Sequence, residues 1–147
     1  RPKEIAKLRL RDISVSKQTV YIDDTISKNK RSACVTIPQK IIELMVELGY
    51  FDAPGTYYIF SKDFRPGPEW VNEKTWSRKI RPALRFPKEY KFYSLKDTGI
   101  TAMLRAGYDT LSVKEQARHS SLLMTDVYTP QDIRDANPLL LNYQGVL

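Results

Sequence analysis

Apolar residues recur at helical spacing in two parts of the chain. One run begins at Pro38 and ends before Gly49; its apolar members are Ile41, Ile42, Leu44, Met45 and Leu48. Proline in the first turn and glycine past the last turn are the usual ends of a helix, so residues 38–48 are predicted to be helical. A second run ends before Gly107, and its members are Leu95, Ile100, Met103 and Leu104. This run predicts another helix, with Gly107 just beyond its end.

Shorter helical patterns flank these two runs. Residues 1–10 predict a short helix, because Pro2 suits its first turn and apolar residues follow at helical spacing. A short helix after Gly107 is indicated by Leu111, Val113 and Ala117, and a further helical segment begins after the Ser120–Ser121 pair. Residues 72–84 predict a helix capped by Asn72. Residues 132–141 predict a last helix, interrupted by Pro138, with an apolar end at Leu139–Leu141.

Two runs of β-branched and aromatic residues, 19–22 and 33–37, predict antiparallel strands joined by the polar loop 27–31. Cys34 lies in the second run and is the sole cysteine, which excludes an intrachain disulfide and a cysteine-cluster zinc site. We expect this side chain to be a buried free thiol. The patterns together predict an α+β fold, mostly α-helical, with a small antiparallel hairpin near the N-terminus.

The length and the net charge of the chain indicate the number of domains and the class of partner. The chain of 147 residues has the size of one domain, and we take residues 1–147 as that domain. Its net charge of +7, from 24 Lys and Arg against 17 Asp and Glu, favours a polyanionic partner such as DNA. No apolar run approaches the ~20 residues of a membrane span, so we expect a cytoplasmic protein without a membrane partner.

Polar residues in the C-terminal part follow a spaced pattern. The first box reads Tyr93-Ser94-Leu95-Lys96-Asp97-Thr98, the second reads Arg118-His119-Ser120-Ser121, and Thr125 and Tyr128 follow. His119 lies 23 residues after Lys96 and nine before Tyr128. With Arg1-Pro2-Lys3-Glu4 at the front, this order resembles the catalytic domain of the tyrosine recombinases (the phage and transposon integrases), whose boxes read R-x-x-E, H-x-x-R-H-T, G-H-S-S and T-x-x-Y. The resemblance covers most of the chain. Because the chain opens inside the first box, we expect further sequence upstream.

The resemblance implies a nucleophile and residues that assist it. Tyr128 would attack a DNA phosphodiester, form a 3′-phosphotyrosyl link and release a 5′-hydroxyl. Arg1, Lys96 and His119 would bind the phosphate oxygens that gain charge in the transition state. Glu4 matches the family's buried acid, which serves structure. The family reaction needs neither a metal nor a nucleotide, so no cofactor is expected.

A lysine in the hairpin loop completes the implied catalytic set. Lys30 would protonate the departing 5′ oxygen as general acid. Lys28 is the alternative, and Lys30 is preferred because it stands eight residues before Pro38, as in the family pattern. The basic loop would otherwise only contact phosphate. The residues expected to bind DNA outside the catalytic set are Lys28, Arg31, Arg78, Lys79 and Arg118.

The chain departs from the family pattern at four positions. Lys96 stands in place of an arginine and lacks the planar fork that binds two phosphate oxygens at once. Tyr93 replaces a histidine, and because a phenol is a poor base near neutral pH, the general-base duty is left open. Asp97 replaces a common histidine and adds negative charge beside Lys96. Arg118 replaces the usual glycine before His119 and offers another phosphate contact.

The resemblance implies a bacterial or phage-encoded enzyme that integrates or excises a mobile element. Its partners would be double-stranded DNA attachment sites, on which it would assemble as a homotetramer. In the family the segment after the nucleophile packs on a neighbouring protomer, and Leu139–Leu141 fits that role or packs back onto its own domain. Two alternatives share the fold. One is a type IB topoisomerase-like enzyme that cuts and reseals one strand; the other is a DNA-binding module in which Lys96, Tyr93 and Asp97 record weakened catalysis. A basic domain without a DNA role is a third alternative.

Overall fold

The computed structural model describes residues 1–72 and 74–129. Helix α1 spans Pro2–Lys7, with Pro2 in its first turn as predicted. The predicted helix was wrong beyond residue 7, because Leu8 is extended and a separate 3₁₀ turn spans Leu10–Asp12. The chain leaves the helix to pair with residues 57–59: the Ile59 N–H donates to the Leu8 carbonyl at 2.9 Å.

A three-stranded antiparallel sheet follows, in the order β1 (Ile13–Ser14), β2 (Thr19–Ile22) and β3 (Ala33–Thr36). The predicted hairpin is confirmed as β2 and β3. Strand β1 was not predicted, since two residues are too few to show an alternating pattern.

The expected burial of Cys34 was wrong, because this thiol is exposed. The side chains of β3 alternate between a half-buried and an exposed face, and Cys34 shares the exposed face with Thr36. Across the sheet Cys34 is paired with Tyr21, which is also exposed. Alternation along a strand reveals two faces, but it does not tell which one meets the core.

Helix α2 spans Gln39–Glu47 and confirms the predicted helix. Gly49 follows it with a φ of 70°, a left-handed conformation that glycine adopts without strain. The buried residues of α2, Ile42 and Met45, belong to a cluster with residues of the sheet and with Leu8 and Leu10, which follow α1. We call the resulting cluster the first core; its buried members are Leu8, Leu10, Val20, Ile22, Ile37, Ile42, Met45, Tyr50 and Ile59.

The predicted helix over residues 72–84 is confirmed in its later part, from Thr75 to Ala83. The Asn72 side chain accepts a hydrogen bond from the Lys74 N–H, and a π-helical segment spans Trp76–Ile80. A single α-helical turn, α3 (Arg81–Ala83), follows. Pro82 has no N–H with which to continue the backbone ladder, and the helix ends within the next turn.

Three helices complete the described chain: α4 (Phe92–Arg105), α5 (Thr110–Ala117) and α6 (Leu123–Asp126). Gly107 has a φ of 83° and lies past the end of α4, as predicted. The second core consists of the buried Ile100, Val113 and Ala117, with Met103, Leu104 and Tyr128 packed against it. The expected helix at 132–141 and the apolar tail Leu139–Leu141 lie outside the described residues.

The two cores face each other across an open cleft of about 470 Å³. The Gln116 side chain bridges from α5 to β3, because its amide accepts from the Thr36 N–H at 2.9 Å and donates to the Thr36 carbonyl at 2.8 Å. The α+β fold, mostly helical with a small antiparallel sheet, is therefore as predicted. Within residues 1–72 and 74–129, every helix is too short or too polar to cross a bilayer.

Candidate active site

A buried carboxylate, Glu4, joins three segments at one end of the cleft. Its residue is 3% exposed. One carboxylate oxygen accepts from the Arg1 guanidinium at 3.1 Å and from the Lys28 N–H at 2.9 Å. The other accepts from Arg118 at 2.8 Å. The expectation that Glu4 is a buried structural acid is confirmed.

The hydrogen bonds to Glu4 keep its carboxylate ionised. Burial by itself would raise the pKa of Glu4, but the Lys28 N–H and the Arg118 guanidinium outweigh burial and lower this pKa below its ordinary value of 4.5. A buried carboxylate that lost these partners would carry a large desolvation penalty. Glu4 therefore depends on the same residues that it holds in place.

Arg118 ends α5 in the left-handed conformation, with φ 54° and ψ 45°. That conformation costs a residue other than glycine about 1 kcal/mol, which explains why glycine suits this position. Here the guanidinium donates to Glu4 and also to the hydroxyl of the buried Ser27 at 2.7 Å. The side chain predicted to contact DNA thus binds α1 and the β2–β3 loop together.

The same contacts hold the β2–β3 loop at the cleft. Ser27 and the Lys28 backbone are bonded to Arg118 and Glu4, whereas the side chains of Lys28, Lys30 and Arg31 are exposed. Lys30 has a φ of 52°, and its N–H donates to the Ser27 carbonyl at 3.2 Å. Three positive side chains therefore stand on a loop whose base is fixed beside the candidate site.

Helix α4 contributes Tyr93, Lys96 and Asp97, whose spacing of three and four residues places them on one side of the helix. The Lys96 ammonium lies 5.6 Å from the centre of the Tyr93 ring. Burial lowers the pKa of Lys96 below 10.5, and the nearby Arg1 and Arg118 charges act in the same direction. Tyr93 and Lys96 line the cleft together with Arg1, Glu4 and Arg118.

His119 follows Arg118 directly and is held by α6. Its Nδ1 lies 2.9 Å from the hydroxyl of Thr125, a fully buried residue. Burial lowers the pKa of His119 below 6.5, and the charges of Lys96 and Arg1 add to this effect. The imidazole is therefore mainly neutral near pH 7 and carries a single N–H donor.

Tyr128 lies just after α6 and contacts both His119 and Asp97. Its ring stacks on the imidazole, with ring centres 6.0 Å apart. Its hydroxyl donates to a carboxylate oxygen of Asp97 at 2.8 Å. This hydrogen bond raises the pKa of Tyr128 above 10.0, and burial raises it further. The phenol therefore keeps its proton in this state.

The structure brings most of the predicted site residues to one end of the cleft. Arg1, Tyr93 and Lys96 line it, His119 and Tyr128 are stacked beside Asp97, and the loop that carries Lys30 is anchored there. Arg78 and Lys79 lie elsewhere, exposed on the π-helical segment. Sequence reasoning missed that Asp97 is the hydrogen-bond partner of Tyr128 and that Ser27 is a partner of Arg118.

Comparisons with known proteins agree on one family. A sequence profile described as the phage integrase family matches residues 1–134. Among solved structures, XerA recombinase superposes with a TM-score of 0.66 at 20% identity, covering 88% of this chain and 47% of that one. The Tn1549 transposon integrase in complex with a circular intermediate DNA gives 0.64 at 11% identity, covering 88% and 50%.

The chain thus spans about half the length of the solved structures that it matches. No curated protein matches its sequence. The family profile covers far more than half of the chain, and the fold is that of tyrosine recombinase catalytic domains. The chain belongs to the phage integrase family.

Proposed function

We propose that residues 1–147 are the catalytic domain of a site-specific tyrosine recombinase, with Tyr128 as its nucleophile. The observation that carries this proposal is the position of the Tyr128 hydroxyl. It is hydrogen-bonded to Asp97 while its ring stacks on His119, beside a cleft lined by Arg1 and Lys96. A phenol, an imidazole and two cations in one place match the needs of attack on a phosphodiester.

In the proposed reaction the Tyr128 oxygen bonds to phosphorus as the bond to the 5′ oxygen breaks. The non-bridging oxygens gain charge, and Arg1, Lys96 and the His119 N–H stabilise it; Tyr93 adds a phenolic donor at the cleft wall. Lys30 gives a proton to the departing 5′ oxygen. The 3′-phosphotyrosyl bond keeps the energy of the original bond, so religation to a partner strand needs no cofactor.

The proposed substrate is a double-stranded DNA attachment site, cut during integration or excision of a mobile element. The net charge of +7 supports a polyanionic partner, and one structural relative is described in complex with DNA. Lys28 and Arg31 on the anchored loop, and Arg78 and Lys79 on the π-helical segment, are the proposed phosphate contacts. We further propose that a homotetramer assembles on DNA in the cytoplasm of a bacterial cell.

Covalent trapping tests this proposal. The full-length protein is incubated with a suicide substrate from its attachment region, nicked so that the released 5′ fragment diffuses away. We expect a denaturation-resistant protein–DNA band that is lost in Tyr128→Phe and kept in the control Tyr108→Phe, which alters an exposed tyrosine.

DNA binding at a verified site without any covalent band would overturn the catalytic proposal and favour a DNA-binding module. A covalent band with relaxation of supercoiled DNA, but without joining to a second duplex, would replace recombination with topoisomerase-like activity.

A further inference from the structure

We propose that Asp97 is the general base of the cleavage step and accepts the phenolic proton of Tyr128 as the nucleophile bonds to phosphorus. This proposal rests on the proposed function and adds a residue to it. In the family pattern a histidine stands at the position of Tyr93, and its replacement leaves the general-base role unassigned. Tyr93 and Asp97 are four residues apart on α4, so the acceptor lies one helical turn beyond the position of that histidine.

Geometry carries the proposal. The Tyr128 oxygen and Oδ1 of Asp97 are 2.8 Å apart, with the hydroxyl donating, which is the distance across which a general base takes a proton. The Tyr128 ring packs on the second core and on His119, so the hydroxyl is held toward α4. Asp97 lies inside a helix of 14 residues, more than one turn from either end.

The other basic groups near Tyr128 are engaged differently. The His119 ring is stacked on the phenol at an interplanar angle of 23°, and the lone pair of an imidazole nitrogen lies in the plane of its own ring, away from a stacked neighbour. Nδ1 of His119 is already paired with Thr125. The Glu4 carboxylate accepts three hydrogen bonds on the far side of the site. Tyr93 is itself a phenol, and Lys96 and Arg1 are cations.

The proton balance of the step is complete. The bond from the Tyr128 oxygen to phosphorus forms, and the phenolic proton moves to Oδ1 of Asp97. The bond from phosphorus to the 5′ oxygen breaks, and that oxygen takes a proton from Lys30. In the reverse step the incoming 5′-hydroxyl returns its proton to Lys30, and Asp97 reprotonates the leaving phenol. Nothing is oxidised or reduced.

The resting hydrogen bond does not ionise the phenol in advance. Because the phenol donates to a carboxylate, its pKa rises, and the nucleophile remains protonated until bond formation to phosphorus acidifies it. A bound phosphate would add negative charge near Asp97, and the cations Arg1 and Lys96 line the neighbouring cleft. The same contact therefore restrains the nucleophile without DNA and receives its proton during attack.

Asp97→Asn separates proton transfer from positioning, because the asparagine keeps an oxygen that can accept the same hydrogen bond. Single-turnover cleavage of the suicide substrate is measured from pH 6 to 9 with the full-length protein. A 5′-bridging phosphorothiolate substrate is compared with the ordinary one, since its sulfur leaves without a general acid. The control is Asp52→Asn, which alters an exposed aspartate in the turn that follows α2. Lys30→Ala serves as a comparator.

We expect Asp97→Asn to cleave about 100-fold or more slowly than wild type on both substrates. Its rate should rise close to tenfold per pH unit, because hydroxide must then remove the proton. Asp97→Glu, which restores a carboxylate, should recover part of the rate. Lys30→Ala should be rescued by the phosphorothiolate, whereas Asp97→Asn should not.

Two results would show that Asp97 is not the general base, although Tyr128 would still be the nucleophile. One is a wild-type rate and pH profile in Asp97→Asn. The other is a loss that does not change with pH and that Asp97→Glu fails to relieve, which is the signature of positioning alone. If wild-type protein gives no covalent band, the proposed function itself fails, and Tyr128→Phe distinguishes this case.

Discussion

The two halves of the described chain, residues 1–72 with the first core and residues 74–129 with the second, differ in how much apolar side-chain surface they bury. In the described residues the first core contains nine buried apolar side chains, which come from the segment that follows α1, the sheet and the residue after it, α2, and the positions of Tyr50 and Ile59. The second core contains three. Large apolar side chains are exposed in both halves, and in the second half they include Leu111, Leu122, Leu123, Met124 and Val127. With three buried core residues, the described part of the second half buries little apolar surface with which to fix its position.

Polar contacts instead fix the second half against the first. Arg118 binds Glu4 and Ser27, and Gln116 binds the backbone of Thr36. Polar contacts have strict distance and angle requirements, whereas apolar packing is less directional. The comparison teaches that the candidate site lies where the fold is held by directional contacts. In the described residues the side chains that hold α5 against the first half are thus few and can be tested one at a time.

Removal of the buried carboxylate should have the largest effect. Glu4→Ala leaves the Arg118 guanidinium, whose side chain is 12% exposed, without its acidic partner. We expect the free energy of unfolding to fall by about 4 kcal/mol, as when one partner of a buried ion pair is removed. Urea unfolding followed by circular dichroism measures this change.

Glu47→Ala is the matched control for Glu4, since it removes an exposed glutamate from α2. Its effect should stay within about 0.5 kcal/mol. A loss in Glu4→Ala no larger than that of the control would show that the polar contacts do not hold the halves together.

Truncation of one buried side chain in each core should have the next largest effect, and it should distinguish the two halves. Ile100→Ala and Ile42→Ala each remove a side chain that is at most 4% exposed, and we expect a loss of about 3 kcal/mol in both. The location of the effect should differ, because the second core is small. Native-state hydrogen exchange should show Ile100→Ala loosening α4 and α5 while the amides of β2 and β3 stay protected.

Ile42→Ala should instead lower protection throughout the described chain, since the first core supports the strand to which α5 is bound. Equal loss of protection in β2 and α5 for both variants would contradict the division and indicate one cooperative unit.

The halves should also respond to acid in different pH windows. The pKa values of His119 and Glu4 are both lowered by the fold, from 6.5 and 4.5. The unfolded chain therefore binds each proton more tightly, and stability falls as the pH drops through each folded pKa. We expect a first decline that begins near pH 6.5 from His119, with a slope of at most about 1.4 kcal/mol per pH unit, and a second from Glu4 below pH 4.5.

His119→Gln isolates the first window, because His119 is the sole histidine. The free energy of unfolding is measured by urea titration at several pH values, and the variant is subtracted from wild type. An identical decline in the variant would assign the first window to another group.

Local patterns in the sequence predicted the elements within each half. Gly49 and Gly107 marked the ends of two helices because a left-handed residue past the last turn favours glycine. The strands of the hairpin followed from their β-branched residues. These elements depend on neighbours a few residues apart, so a periodic pattern is enough to reveal them. The candidate site residues, among them His119 and Tyr128, came instead from the resemblance to the tyrosine recombinases.

Contacts between the halves were not predictable in the same way. Arg118 and Glu4 are 114 residues apart in sequence, and no local pattern indicates that they meet. Asp97 was read only as added negative charge, although its four-residue spacing from Tyr93 hinted at a shared helix face. Cys34 was assigned to the wrong face because both faces of β3 carry small or apolar residues. In each case the partner that decides the outcome comes from a distant segment.

The smallest predicted effect concerns the side-chain amide that bridges α5 and β3. Gln116→Ala removes two hydrogen bonds to Thr36, at 2.9 and 2.8 Å, on the outer edge of the sheet. We expect a loss of about 1 kcal/mol, because water can replace the amide at an exposed strand edge. Exchange of the Thr36 amide should accelerate at the same time, since Gln116 is the acceptor for that N–H.

Glu115→Ala is the control for Gln116, because it alters an exposed residue of the same helix with the same gain in helix propensity. The difference between the two variants therefore reports the bridge to β3 alone. Faster Thr36 exchange with unchanged global stability would mean that the Glu4–Arg118 contact holds α5 without help. If neither Thr36 exchange nor global stability changes, Gln116 does not help to join the halves. The position of His119 and Tyr128 would then depend on Arg118.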